Sequence, residues 1–318
     1  MVSEFKLIRR FFTRATPGAV LGVGDDAALL HVKNGMELVV STDMLVSGTH
    51  FFPDNDPFFL GHKALAVNLS DMAAMAAQPR WATLALSLPE VDETWLEKFS
   101  AGLFALADEH HVELIGGDTT HGPLNLCITI MGEVPHGTAL RRSGAQVGDD
   151  VWVSGVLGNA ALALVHMQGR MQLAAEDFAA CALALHRPMP RVALGRALRG
   201  VAHSAIDISD GLLADLGHIL DCSNVGAEIA FNALPVSSSL QRYLEQPLGK
   251  HCLLAGGDDY ELCFTASVAH RFEVERIAAS LGLLLTRIGT ITAEKKCTVR
   301  AEDGSIVNIE ESGYDHFR

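Results

Sequence analysis

Aspartates recur in this sequence at the ends of apolar segments, usually next to glycine and near a hydroxyl residue. Asp25 and Asp26 follow a Gly-x-Gly turn in GVGDDAALL (residues 22–30) and lead into an apolar run. The same combination returns in STD (41–43), NLSD (68–71), IGGDTT (115–120), IDISDG (206–211) and AGGDDYEL (255–262). Neighbouring carboxylates repel each other and are costly to bury without a cation or hydrogen-bond donors. We therefore expect these segments to be loops that border one cleft and hold cations there.

Carboxylates, glycines and hydroxyls together are suited to binding phosphates through hard cations. Mg²⁺ prefers carboxylate and water oxygens and commonly bridges to substrate phosphates, while glycine lets backbone N–H groups approach phosphate oxygens. Each motif alone also has an ordinary explanation, such as a tight turn or, for Asp210, a helix N-cap. Asp71 is harder to explain in this way, because an ionised Asp within an apolar helix is costly unless it is paired. The recurrence along one chain favours a shared site over unrelated turns.

The composition limits the classes of partner. The chain has 318 residues, of which 49% are hydrophobic and 6% aromatic, so we expect about two domains with cores of Ala, Leu, Val and Ile. The formal net charge of −14 argues against a binder of nucleic acid or of anionic membranes. The P-loop motif GxxxxGK[ST], the protein-kinase HRD and DFG motifs, GxSxG and HExxH are absent from the sequence. An acidic protein can still bind ATP when several metal ions neutralise both partners.

The cysteines and the hydropathy pattern indicate a cellular compartment. The six cysteines are scattered through apolar segments and form no CxxC pair, which is typical of buried thiols in a reducing environment. The N-terminal MVSEFKLIRRFFTR lacks the long apolar segment of a signal peptide, and no apolar run is long enough to span a membrane. We therefore expect a cytoplasmic protein with no membrane partner.

Apolar runs and helix-type spacing predict strands and helices in both halves of the chain. In the first half they predict strands at 36–46, 81–88, 112–120 and 124–134, and helices at 54–77 and 93–111. In the second half they predict strands at 151–155, 204–209, 226–231, 260–266 and 284–292, and helices at 158–170, 210–223 and 268–281. The turn-rich stretch PHGTALRRSGAQVGDD (135–150) marks a domain boundary. The pattern predicts an α/β (α+β layered) fold with domains at 1–137 and 138–318.

Taken together, the motifs resemble the thiamine-monophosphate kinase family of the aminoimidazole ribonucleotide synthetase-like superfamily. In chain order the resemblance is carried by GVGDDAALL, STDMLVSGTHF, KALAVNLSDMAAMAAQP, LIGGDTT, RRSGAQVGD, AIDISDGLLADLGHI, GGDDYELCF and GYDHF. It implies a two-domain fold in which an N-terminal α/β domain forms a homodimer and a C-terminal α/β domain follows. It further implies an enzyme that uses ATP and several Mg²⁺ ions to convert thiamine monophosphate to thiamine diphosphate, with ADP as the other product.

The resemblance also implies roles for individual residues. The implied metal ligands are Asp26, Ser41, Thr42, Asp43, Asp71, Asp118, Asp207 and Asp210. The implied contacts to the nucleotide phosphates are Gly117, Asp118, Arg142 and Ser209, and those to the thiamine substrate are His50, Asp258 and Tyr314. Asp258 stands where the family usually has Glu, so its arm is one methylene shorter, and Asp259 is the alternative for this contact. The predicted catalytic residues are Asp43, Asp71 and Asp118.

The expected mechanism is direct in-line transfer between two phosphates. Such transfer needs positioning and charge neutralisation more than a covalent nucleophile. The acceptor oxygen is already ionised near neutral pH, so no catalytic Ser, Cys or His is expected. Two alternatives remain open at this point: another ATP-dependent enzyme of the same superfamily, of the purine-pathway cyclase type, and a non-catalytic module that binds metal or nucleotide.

Overall fold

The structure is a computed structural model that describes residues 4–308 and 313–314. The chain divides into two compact units. The first unit contains the chain up to Met72 together with Ala77–Gly137, and the second contains Ala73–Ala76 and the chain from Thr138 onward. Each unit has its own mixed sheet and its own helices, which confirms the predicted α/β class.

The first unit is built on a four-stranded sheet. Its strands are β1 (Met36–Val46), β2 (Gln78–Leu88), β3 (Glu113–His121) and β4 (Asn125–Pro135), in the spatial order β1-β4-β2-β3. β1 and β2 both run antiparallel to β4, whereas β3 runs parallel to β2. The helices are α1 (Glu4–Leu7), which continues as a π-helical turn at Ile8–Phe12, α2 (Pro57–Ala74) and α3 (Glu93–His110). The core of this unit includes Leu65 and Leu69 of α2 and Phe99 of α3, all fully buried.

Local signals explain where the two long helices of this unit begin. The carboxylate of Asp56 accepts a hydrogen bond from the Phe58 N–H (2.8 Å), and Pro57 occupies the first helical position, where its missing N–H is no loss. The Asp92 carboxylate caps α3 in the same way, since it accepts from the N–H groups of Thr94 and Trp95 at 2.8 and 3.1 Å. Within the predicted range 54–77, α2 therefore begins at Pro57, the first helical position that Asp56 as N-cap and Pro57 indicate in the sequence.

The second unit contains a six-stranded sheet. Its strands are β5 (Asp150–Ser154), β6 (Ala202–Ile208), β7 (Gly226–Ala230), β8 (Glu261–Ala266), β9 (Leu285–Thr292) and β10 (Cys297–Arg300), in the order β10-β7-β9-β5-β8-β6. Within the described strands of this six-stranded sheet, only the β10–β7 pair is parallel. The helices are α4 (Asn159–Met167), α5 (Ala175–His186), α6 (Val192–Ala197), α7 (Leu212–Ser223), α8 (Ser238–Gln241), α9 (Pro247–Ala255) and α10 (Arg271–Leu281). Short 3₁₀ turns lie at Phe231–Ala233 and Val268–His270. Every residue of β8 is buried, so β8 forms part of the core of the unit.

The predicted strands and helices are all present, with ends that shift by a few residues. Helices α1, α5, α6, α8 and α9 and strand β10 were not predicted. The α5 sequence AEDFAACALALH contains apolar residues on several sides, so it lacks the clear stripe that marks an amphipathic helix. Within the described ranges, we find no helix with both the length and the apolar character that a membrane crossing requires.

Candidate active site

Two carboxylates of the first unit lie side by side, one on strand β1 and one on helix α2. Asp43 shares a hydrogen bond with Asp71, and the Ser41 hydroxyl donates to Oδ2 of Asp71. Burial, followed by the charge and the hydrogen bond of Asp71, raises the pKa of Asp43 from 3.8 to about 7. Without a cation, the pair therefore retains a proton close to neutral pH.

This carboxylate pair fits a divalent cation. A cation bound between the two groups would remove the repulsion that helps to raise the pKa of Asp43. Among residues 4–308 and 313–314, no group of three or more His, Cys, Asp or Glu side chains is arranged to hold a metal ion. Mg²⁺ is commonly bound through one or two carboxylates while it keeps several waters or substrate phosphates. Asp43, Asp71 and the Ser41 hydroxyl provide that kind of ligand set.

Strand β1 directs neighbouring side chains to opposite faces of the sheet, and this separates two of the predicted metal ligands. Ser41 and Asp43 face α2, where Asp71 lies. The Thr42 side chain is on the other face, with its hydroxyl oxygen 2.8 Å from that of Thr129 on β4. The structure thus brings the Ser41 hydroxyl to Asp71 but not the Thr42 hydroxyl. The predicted role of Thr42 would have to use its main chain.

A cavity of about 860 Å³ in the first unit brings the GVGDD and IGGDTT motifs together. Asp25, Asp26, Gly117 and Asp118 all line it, as does Arg9 from the N-terminal helical segment. Gly117 has φ +149°, and a Cβ there would lie 1.9 Å from a carbonyl oxygen of β2, so the strand requires glycine at this point. The cavity therefore brings the exposed carboxylates of the two motifs together, whereas the need for glycine at position 117 is explained by packing against β2. The metal and phosphate roles of these residues stay predictions.

His50 follows β1 in a tight turn. Its Nδ1 accepts a hydrogen bond from the Val46 N–H at 3.0 Å, and its own N–H donates to the Val46 carbonyl at 2.9 Å. Because Nδ1 accepts, the ring proton of the neutral form is on Nε2. In this form the Nε2–H of His50 is a hydrogen-bond donor, and the predicted contact of His50 to the thiamine substrate stays a prediction.

In the second unit, the loop of residues 209–211 connects β6 to α7 and carries two predicted ligands, Ser209 and Asp210. Asp207, a third, precedes the loop on β6 and is 6% exposed. One oxygen of Asp215 accepts hydrogen bonds from the N–H groups of residues 209, 210 and 211, each at 3.0 Å. Burial, with the nearby Asp210 charge, raises the pKa of Asp215 to about 7, although the three N–H donors oppose the shift. Asp215 was not predicted, although an Asp on the buried side of an apolar helix was the signal available in GLLADLGHI.

The carbonyl groups of the same loop hold the two residues predicted to contact the substrate. The Asp258 N–H donates to the Ser209 carbonyl at 2.9 Å, and the Tyr314 N–H donates to the Asp210 carbonyl at 3.0 Å. Asp258 has φ +70°, in the left-handed region, and its carboxylate accepts the Tyr260 hydroxyl at 3.0 Å. The structure therefore places Ser209, Asp210, Asp258 and Tyr314 on one hydrogen-bonded frame. The rest of the GYDHF motif, residues 315–317, lies outside the described residues.

Asp259 has a different environment from its neighbour Asp258. Both of its carboxylate oxygens accept the N–H of Gly158, the N-cap of α4, at 2.9 Å. Burial raises the pKa of Asp259, and the Gly158 hydrogen bond lowers it. The Asp259 carboxylate thus accepts an N–H group at the N-terminus of α4, so Asp258 remains the better candidate for the substrate contact.

Arg142 lies on an exposed loop whose main chain is fixed by the end of α7. The Ser223 hydroxyl donates to the Arg142 carbonyl at 3.3 Å and accepts from the N–H groups of Gly144 and Ala145 at 3.1 Å. The guanidinium is therefore carried on an ordered turn, and the predicted phosphate contact stays a prediction.

A partly buried ion pair between Arg191 and Glu261, the Glu of the GGDDYEL motif, was also missed. Arg191 donates through Nε to Oε2 of Glu261 at 2.6 Å, with a second hydrogen bond from Nη2, and the Ser154 hydroxyl donates to the same carboxylate at 2.5 Å. Burial alone would lower the pKa of Arg191, but the hydrogen bonds and charge of Glu261 raise it. Arg191 is 70 residues away in sequence from Glu261, so no local pattern could reveal the pair.

The two units correspond to the two halves of a known class of protein. Residues 24–134 match the N-terminal domain of AIR synthase related proteins, and residues 146–302 match the C-terminal domain of the same proteins. The matches follow each other in chain order and together cover most of the chain. The chain therefore belongs to the AIR synthase related proteins.

Full-length relatives define the family within that class. The thiamine-monophosphate kinase of Escherichia coli (strain K12) is 48% identical over 318 residues, which span 99% of this chain and 98% of the relative. The crystal structure of the thiamine-monophosphate kinase from Stenotrophomonas maltophilia K279a is 51% identical, with a TM-score of 0.85 over 95% of this chain and 96% of that chain. The structure of AaThiL complexed with AMPPCP and TMP is 29% identical, with a TM-score of 0.78 over 90% and 89% of the two chains. The chain belongs to the thiamine-monophosphate kinase family, as the motif resemblance implied.

Proposed function

We propose that this protein transfers the γ-phosphoryl group of ATP to the phosphate of thiamine monophosphate, giving thiamine diphosphate and ADP. The observation that carries the proposal is the likeness, over 90% of this chain, to AaThiL complexed with AMPPCP and TMP. The paired carboxylates of the first unit and the ordered loop of the second are the groups that such a transfer between two anions needs. Both are built from residues that the motif resemblance singled out.

Several Mg²⁺ ions are part of the proposal. Asp43, Asp71 and Ser41 would hold metal on β1 and α2, and the main chain of Thr42 would add to this set. Asp26 and Asp118 line a common cavity and would hold metal there, whereas Asp207 and Asp210 would do so in the second unit. Bound Mg²⁺ supplies charge neutralisation for the phosphates of both substrates. Asp43, Asp71 and Asp118 are the proposed catalytic residues.

The remaining proposed residues bind and orient the substrates. Gly117, Asp118, Arg142 and Ser209 are the proposed contacts to the nucleotide phosphates. On the thiamine side, we assign the phosphate donor role to the Nε2–H of His50, and substrate contacts to Asp258 and Tyr314. Transfer would proceed in line, with no phosphorylated enzyme residue, because the acceptor oxygen is itself ionised.

We also infer domains at 1–137 and 138–318, a homodimer, and a cytoplasmic location. Strand β1 is at the edge of its sheet and exposes Leu38 (43%), Val40 (54%) and Met44 (53%) on one face. An apolar strip of this kind on a sheet supports burial against a second copy. The six free cysteines support a reducing compartment, and ATP-dependent metabolism is in keeping with the cytoplasm.

The test is ³¹P NMR of the purified protein with ATP, Mg²⁺ and thiamine monophosphate, with a control that omits the acceptor. We expect the diphosphate resonances of thiamine diphosphate together with ADP, and neither product without the acceptor. ATP that stays intact would favour the non-catalytic module. ATP cleaved without formation of thiamine diphosphate would favour another enzyme of the superfamily, and purine-pathway substrates would be tried next.

A further inference from the structure

The carboxylate of Asp215 is hydrogen-bonded to the main chain of the loop that carries Ser209 and Asp210. Its Oδ2 accepts from three successive N–H groups at 3.0 Å, and the residue is 2% exposed. A buried carboxylate is retained only where donors or cations compensate for the lost water. Here the three donors are all main-chain groups of residues 209–211, so the carboxylate fixes the path of the loop itself.

The arrangement differs from an ordinary helix cap. Gly211 is the N-cap of α7 and has no side chain to offer the first N–H groups of the helix. Asp215, in the first turn of α7, instead reaches back beyond the start of the helix to the N–H groups of residues 209–211. Gly211 has φ +124°, and a Cβ there would lie 2.6 Å from the main chain of Ala255. The loop thus passes tightly between the end of α9 and the Asp215 carboxylate.

The loop in turn sets the positions of the two residues proposed to contact thiamine monophosphate. Its carbonyl groups accept the N–H of Asp258 at 2.9 Å and the N–H of Tyr314 at 3.0 Å. A shift of residues 209–211 would therefore move a nucleotide contact, a metal ligand and both substrate contacts of this unit together.

We propose that Asp215 is a positioning residue that holds residues 209–211 so that Ser209 and Asp210 meet the nucleotide and metal while Asp258 and Tyr314 keep their spacing. This inference deepens the proposed function and rests on it. Asp215 acts through the main chain of the loop and touches neither substrate. Removal of a group that orients a ligand residue typically weakens metal affinity or activity by about 10–100-fold.

Two substitutions test the proposal. Asp215→Ala removes the acceptor, and we expect the Mg²⁺ concentration for half-maximal turnover to rise by about 10-fold or more. Asp215→Asn keeps a carbonyl oxygen at the same place without the charge. Since hydrogen bonds to a charged acceptor are about twice as strong as neutral ones, we expect this variant to fall between wild type and Asp215→Ala.

Amide hydrogen exchange gives a readout that does not depend on activity. In the absence of metal and nucleotide, the amides of residues 209–211 should be protected in wild type and exchange faster in Asp215→Ala, again with Asp215→Asn in between. If Asp215→Ala does not fold, Asp215→Asn alone carries the test. Wild-type exchange at these amides, or a wild-type Mg²⁺ requirement in the folded variant, would overturn the proposal.

Asp177→Ala is the matched control. Asp177 is also 2% exposed and lies in the first turn of α5 in the same unit, where it accepts hydrogen bonds from the Tyr243 hydroxyl and from Arg242. We expect Asp177→Ala to lower stability and leave the Mg²⁺ requirement unchanged. An equal rise in this control would show a general effect of destabilisation, against the proposal. If wild type itself forms no thiamine diphosphate, the proposed function fails, which is distinct from an active wild type whose Mg²⁺ requirement ignores Asp215.

Discussion

Replacing Asp71 with Asn should stabilise the metal-free protein above neutral pH and yet remove most of its turnover. In wild type, Asp43 and Asp71 are in contact, and the Ser41 hydroxyl donates to Asp71. An amide at position 71 can still accept the Ser41 hydroxyl, and its NH₂ group can donate to the Asp43 carboxylate. The substitution therefore exchanges a repulsive contact for an attractive one, while it removes a carboxylate that the proposed metal site needs.

The size of the effect follows from the pKa of Asp43, which is raised from 3.8 to about 7. A shift of about 3 pKa units corresponds to about 4 kcal/mol between the protonated and ionised forms. Burial is the largest single cause and remains in the variant, so loss of the charge and hydrogen bond of Asp71 recovers only part of this free energy, on the order of 1–2 kcal/mol. We expect the free energy of unfolding of the metal-free variant to rise by that amount at pH 8.

Proton binding by Asp43 determines how the stability gain of Asp71→Asn depends on pH. Because the pKa of Asp43 is higher in the folded state, the folded state binds this proton more tightly than the unfolded state does. The group's effect on stability is most favourable below its unfolded pKa of 3.8, declines as the pH rises, and is most unfavourable above about pH 7. Asp71→Asn lowers the folded pKa of Asp43, so the gain over wild type should be small near pH 4 and full at pH 8.

Urea unfolding of EDTA-treated protein at pH 4.5 and pH 8 measures this difference, with Asp54→Asn, an exposed carboxylate of the same unit, as the control. Mg²⁺ and ATP should then stabilise wild type more than Asp71→Asn, because only wild type keeps the full ligand set. A variant that is less stable than wild type at pH 8 without metal would refute the electrostatic reasoning. Near-normal turnover would remove Asp71 from the metal site.

Three further predictions concern other parts of the molecule. Arg191→Met leaves the buried Glu261 carboxylate without its ion pair, and urea unfolding should show a loss of about 3–5 kcal/mol in the free energy of unfolding. Gly117→Ala places a methyl group 1.9 Å from a β2 carbonyl oxygen, so β3 has to shift at the proposed nucleotide contacts. Calorimetry should therefore show weaker ATP binding, and wild-type ATP affinity in this variant would contradict the close approach of Gly117 to β2. Ser41→Ala should raise the Mg²⁺ concentration for half-maximal turnover several-fold, whereas Thr42→Val should change it little. Equal effects in steady-state assays would show that pointing toward Asp71 does not make the Ser41 hydroxyl the preferred metal ligand.

The sequence was informative wherever a property is local. Alternating apolar residues and turn signals located the strands and the long helices, and Asp56 with Pro57 marked the start of α2. Helix α5 was missed because its apolar residues do not form one stripe. The motif resemblance supplied the family, which the full-length relatives bear out.

The site was predictable as a set of residues but not as an arrangement. The period of two along β1 implies that Ser41 and Thr42 point to opposite faces, but only the position of α2 shows which face meets Asp71. The proposed role of Asp215 depends on its side chain reaching back from α7 to the loop that precedes this helix. The Arg191–Glu261 pair depends on how distant segments pack, which no short stretch of sequence encodes.

The loop of residues 209–211 is held entirely through main-chain N–H and carbonyl groups in the contacts described above. These hydrogen bonds do not use the side chains at positions 209 and 210, although the Asp210 charge helps to raise the pKa of Asp215. Chemistry at positions 209 and 210 can therefore be exchanged, by evolution or by design, while the geometry is retained. A library that varies these two positions with Asp215 and Gly211 kept constant would explore new phosphate and metal preferences on an unchanged backbone.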